Sequence, residues 1–143
     1  MEIQVLDHDD PVYQGHPFGY KGLKPYQNHG SIYGVVPSEH VDFGPIKQWH
    51  TEEIRAEGDH ITVTVDGKVI TDANIREACQ GNPVAPDGGK YNPYTIDHRN
   101  HPGLFNKEGY ISFCGHGPGV MFRNVRVLDL TKHKSKAKRT ARK

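Results

Sequence analysis

Ten histidines in 143 residues are roughly three times ordinary usage. They matter because imidazole is the side chain whose charge changes near neutral pH. His116 stands in Gly-His-Gly-Pro-Gly at 115–119. Glycines on both sides let the backbone approach a ligand and leave the ring uncrowded, which suits a general base or a ligand contact. A turn histidine in solvent explains the same spacing. Glu2, Gln4 and Asp7 form a second group. On a strand, Glu2 and Gln4 share one face about 7 Å apart, a spacing at which two polar side chains can grip one sugar ring. A solvated outer face gives the same alternation.

Arg123, beside Asn124, offers a planar guanidinium able to pair with a carboxylate or neighbouring hydroxyls; in a closing strand it also serves simple solvation. His29 and Tyr33, in Asn28-His-Gly-Ser-Ile-Tyr-Gly34, place an aromatic between glycines, as in a sugar-stacking platform or a buried tyrosine. His98 and His101, in Asp97-His-Arg-Asn-His101, have a spacing that metal ligands also use. No Cys or carboxylate stands at a diagnostic distance from them, so no metal set is assigned and no cofactor is expected. Nucleotide, P-loop, zincin, nucleophile-elbow and EF-hand motifs are absent.

These groups need strands to position them. Met1, Ile3 and Val5 alternate with Glu2 and Gln4, predicting a strand over 1–7. A long aromatic loop at 8–30 follows, and then a short strand at 31–36. Residues 48–57 and 60–65 read as strands, Asp66-Gly67 as a tight hairpin turn, and 68–72 as the partner strand. Asn74 caps a single helical turn ending at Cys79. Strands are expected again at 109–115 and 120–130. With no sustained helical pattern, the order predicts an all-β fold, an antiparallel β-sandwich or jelly roll over residues 1–130.

The formal net charge of +1 hides an asymmetry. Of the 18 Lys and Arg, seven lie in residues 132–143, leaving 11 against all 17 acids, a balance of −6 for residues 1–131. An acidic body argues against nucleic acid as partner of the domain. The segment 131–143 has no apolar periodicity and reads as a disordered basic tail that binds anionic surfaces weakly. Cys79 and Cys114 are too few for a disulfide scaffold. No stretch is apolar enough to span a membrane, and residues 1–10 do not form a signal peptide.

Glu2-Ile-Gln-Val-Leu-Asp7, His29-Gly-Ser-Ile-Tyr-Gly34, the Trp49 strand with Glu53-Ile-Arg55, His60 to Gly67, His101-Pro-Gly-Leu104 and Gly115 to Arg126 come in an order that resembles the 3-keto-disaccharide hydrolase domain family. The resemblance implies a concanavalin A-like jelly roll. It matches the C-terminal portion of such a domain, so the domain is expected to be incomplete at its N-terminus. The resemblance further implies a bacterial, periplasmic or extracellular protein whose partner is a carbohydrate substrate. The implied chemistry acts on 3-keto-glycosides: proton abstraction at C2, β-elimination of the anomeric substituent and hydration.

In that chemistry His116 is the base or proton shuttle and Glu2 and Asp7 are catalytic carboxylates. Gln4, His29, Tyr33 and Arg123 hold substrate, Arg123 toward the enolate or ring hydroxyls. Competing readings are a carbohydrate-binding module without turnover and a structural remnant with an anion-binding tail. Deleting 132–143 is expected to abolish salt-sensitive retention on heparin while leaving any sugar activity unchanged. Retention that survives the deletion would place anion binding in the body.

Overall fold

A computed structural model describes residues 1–13, 22–115 and 119–131. The chain divides into two compact units, residues 1–113 and 114–143. In the first, β1 (Glu52–Glu57), β2 (His60–Val65) and β3 (Lys68–Asn74) form an antiparallel sheet in the order β1-β2-β3. The hairpin turn forms where expected: Asp66 and Gly67 both take left-handed conformations, φ 48° and 83°, as a two-residue turn between right-twisted strands requires. Asp66 also holds the chain entering β1, because its carboxylate accepts from Thr51 N at 2.8 Å and its own N–H donates to Thr51 O at 2.9 Å.

Alternation sends Ile61, Val63 and Val65 of β2 into the core. On β3 the register slips: Val63 faces Thr71 while Thr64 faces Val69, so Ile70 is the extra residue of a bulge. Ile70 and Thr71 are consequently both buried, against simple alternation. With the three β2 residues, Ile32, Val35, Ile75, Cys79 and Leu104, Ile70 closes a small core. It stops short of β1, where Ile54 is 47% exposed although it pairs with the fully buried Val63. One helical turn, α1 (Ile75–Ala78), follows β3. As expected, Asn74 caps it, its Oδ1 accepting from Arg76 N at 3.0 Å and Glu77 N at 3.2 Å.

Four expected strands need correction. Residues 1–7 and 31–36 are not full strands. They meet in a short antiparallel ribbon through the Ile3–Ile32 bridge, with Gln4 N donating to Ser31 O at 3.0 Å and Tyr33 N to Glu2 O at 3.0 Å. Beyond Ile32 the chain turns at Gly34, φ 73°, because Ile32 O takes the N–H groups of Val35 and Val36. Residues 109–115 and 120–130 alternate but carry no ladder among the described residues, and Ile111, Phe113, Val125 and Val127 are exposed. Alternation chooses which face a side chain takes; a strand also needs a neighbouring backbone to pair with. The described residues thus show an antiparallel sheet with few helices, and no helix among them is long and apolar enough to cross a membrane.

Two substitutions grade these devices. Asn74→Ala is expected to cost about 1 kcal/mol through the lost cap. Gly34→Ala is expected to cost on the order of 2–4 kcal/mol, from a positive φ and a Cβ driven onto the Asp97 carboxylate. Urea unfolding of both variants checks the magnitudes and their order.

Candidate functional site

In the ribbon, Ile3 and Ile32 face the core, so the cross-strand neighbours Glu2/Tyr33 and Gln4/Ser31 take the opposite face. Glu2 is exposed, and Gln4, Asp7 and Tyr33 are half-buried. The Tyr33 hydroxyl accepts from Gln27 Nε2 at 2.9 Å, and its ring meets Tyr26 edge-on at 5.9 Å. Asp7 Oδ1 accepts from Asp9 N at 3.1 Å, which fixes the carboxylate where the ribbon ends. Glu2, Gln4 and Tyr33 are therefore brought together. His29, expected to hold substrate, is buried, with its ring edge-on to Phe43 at 5.1 Å. Arg123 is exposed in the second unit, and His116 lies outside the described residues.

Glu2 and Met1 also line a cleft of about 350 Å³ with Asn100, His101, Pro102, Gly103 and Leu104. His101 approaches Asp97 there, Nε2 to Oδ1 at 3.1 Å, and the Asp97 side chain is only 4% exposed. The same carboxylate oxygen accepts from Arg99 N at 2.9 Å. The loop carrying Asp97 is tied to the ribbon by Ile96 N and Asp97 N, which donate to Gly34 O at 3.1 and 3.3 Å. His98 does not join His101: it takes φ 59° and stacks on Tyr91 at 4.7 Å. Sequence reasoning considered the two histidines together and missed the Asp97–His101 pair. Its signal was the Asp-x-x-x-His spacing in the same pentapeptide.

A second cluster surrounds Phe43, whose ring lies 5.0 Å from His8, 5.1 Å from His29 and 5.5 Å from His50. His8, Asp9 and His40 bring three ligand atoms close enough for a cation. The hydrogen bonds of His8 oppose that use. Its Nδ1 accepts from His29 N at 3.3 Å, which puts the ring proton on Nε2, and Nε2 faces Val41 O at 2.8 Å. Neither nitrogen then has a lone pair to give a metal.

His29 Nε2 and Glu52 Oε1 lie 3.6 Å apart, and neither atom has a hydrogen-bond partner. Burial pushes Glu52 up to about 7 and His29 down to about 4. Both shifts favour the neutral forms, so near pH 6 this contact is a carboxylic acid facing a neutral imidazole rather than an ion pair.

The pH dependence follows from the signs. Between about 4.5 and 7 the folded Glu52 keeps a proton that the unfolded chain releases, so its contribution to stability falls as pH rises. Between about 4 and 6.5 the unfolded His29 binds the extra proton, and stability rises. The two slopes oppose one another where they overlap. Glu52→Gln removes the falling arm, so its melting temperature is expected to climb more steeply than the native chain's from pH 4.5 to 6.5. Parallel Tm profiles by circular dichroism would contradict the pairing.

A family model described as a 3-keto-alpha-glucoside-1,2-lyase-like domain matches residues 1–128. A Bacteroides thetaiotaomicron protein named 3-keto-disaccharide hydrolase is 28% identical over 136 residues, covering 88% of this chain. The match spans 42% of that relative's own length. No solved structure matches the chain.

Proposed function

The chain belongs to the 3-keto-alpha-glucoside-1,2-lyase-like domain family, and from that premise we propose that it cleaves 3-keto-glycosides. The fold that accompanies this reading is the antiparallel sandwich, with the sheet β1-β2-β3 as one of its parts. A ketone at C3 acidifies the C2 proton, so a base can remove it and the anomeric substituent leaves by β-elimination. Water then adds across the enone, and the overall result is hydrolysis.

The observation that carries the reading is the family match over residues 1–128. The gathering of Glu2, Gln4 and Tyr33 on one ribbon supports it, because a sugar ring needs several convergent polar groups beside an aromatic surface. Glu2, Gln4 and Asp7 face the sugar, and Asp7 serves as a fixed carboxylate where the ribbon ends. His116 moves a proton as base or shuttle, while Arg123 stabilises the enolate oxygen or holds ring hydroxyls.

His116→Ala is expected to lower turnover of methyl 3-keto-α-glucopyranoside by roughly 10²–10⁴-fold. Full activity in that variant would remove His116 from the reaction. Retention of glycans by the native chain, with no product from any 3-keto-glycoside, would replace the enzyme with a carbohydrate-binding module.

A further inference from the structure

We propose that the cleft beside Glu2 seats the 3-keto-sugar ring and that His101 is a proton-transfer residue of this site, with Asp97 as its positioning residue. The proposal deepens the reading above and rests on it. Its first support is orientation. Asp97, almost fully buried, holds His101 by Nε2. A carboxylate acceptor at that nitrogen fixes the Nε2–H tautomer, leaving Nδ1 as the unprotonated nitrogen. This is the arrangement of a base held by a second carboxylate, and the ring keeps 23% of its side chain exposed.

The second support is the cleft itself. Asn100 is consumed structurally, its Oδ1 accepting from Ala85 N and its Nδ2 donating to Gly89 O, both at 2.8 Å. Glu2 and His101 are then the titratable side chains that line it. A volume of about 350 Å³ sits at the lower end of ligand sites, roughly 300–1,000 Å³, and suits one ring rather than an extended chain. The third support is Gly34. A Cβ there would strike the Asp97 carboxylate and come within 2.9 Å of His101 Cε1. The turn is thus kept bare where the pair needs room.

In the reaction His101 Nδ1 takes the C2 proton, which leaves to His116 the shuttle role of the reading above. The C–H electron pair passes into the C3 enolate; as the ketone re-forms, that pair makes the C1–C2 double bond and the C1–O bond breaks with its pair on the glycosidic oxygen. That oxygen takes a proton from water and leaves as an alcohol. The resulting hydroxide adds to C1, and His101 returns its proton to C2.

The test uses the full chain labelled with ¹⁵N-histidine, with His101 signals assigned by their loss in His101→Gln. The expected spectrum has His101 protonated at Nε2, with Asp97→Asn giving a tautomer mixture, and added methyl 3-keto-α-glucopyranoside shifting Nδ1. In turnover, His101→Gln is expected to lose roughly 10²–10⁴-fold in kcat with KM within a few-fold, and His101→Ala to regain activity with added imidazole. Unchanged kcat in His101→Gln, or a loss that imidazole does not restore, overturns the role of His101 while the wider reading stands. An inactive native chain whose Nδ1 still shifts with the sugar overturns catalysis and keeps the cleft as a binding site. Absence of both turnover and shift overturns the two together.

Discussion

The close approach of Gly30, Ser31 and Ile32 to the inner face of the β2–β3 hairpin is the contact on which the first unit depends. Gly30 takes φ 78°, and a Cβ there would meet the Ile70 side chain and lie 3.4 Å from Val63. Its carbonyl accepts from the buried Thr71 hydroxyl at 2.8 Å. Ser31, fully buried, donates to Pro25 O at 3.1 Å and receives the Ser38 N–H at 3.0 Å. Only a residue without a side chain fits against Ile70, and only a satisfied hydroxyl can be sealed beneath the loops without a desolvation cost. The ribbon that carries Glu2 and Gln4 and the turn that receives Asp97 are anchored through this segment.

The bulge in β3 belongs to the same device. By burying Ile70 and Thr71 in succession, it supplies an apolar group to cover Gly30 and a hydroxyl to bind the Gly30 carbonyl. A regular strand would have turned one of the two to the outer face. A local irregularity thus sets the height at which the polar ribbon rides over the sheet.

Among the described residues most histidines meet a carboxylate, and burial decides what each pair does. His60–Asp72 and Lys68–Glu39 on the outer sheet are open to solvent, where such contacts contribute little. His50 meets Asp66 at 2.7 Å, at the turn that already pins Thr51, so that pair reinforces the hairpin. His29–Glu52 is largely buried at the start of β1 and sheds its charge. His101–Asp97 is intermediate, a buried carboxylate with a partly exposed ring beside a cleft. Histidine and carboxylate thus serve solvation, turn stability and a neutral buried contact, and the proposal adds proton transfer.

The hairpin, its Asp66-Gly67 turn, the Asn74 cap and the inward face of β2 were legible in the sequence, because alternation, left-handed turn residues and capping chemistry act within a few neighbouring positions. So was the face shared by Glu2 and Gln4. The fate of the remaining alternating segments was not legible, since a strand requires a partner and periodicity names none: residues 1–7 became a ribbon and 109–115 gained no ladder among the described residues. The histidines divide the same way. Sequence identified His29 and His101 as candidates from their glycine and histidine neighbours. Only tertiary packing sealed the first against Glu52 and set the second on Asp97 at the edge of a cleft, because burial and the choice of carboxylate depend on which distant loops meet.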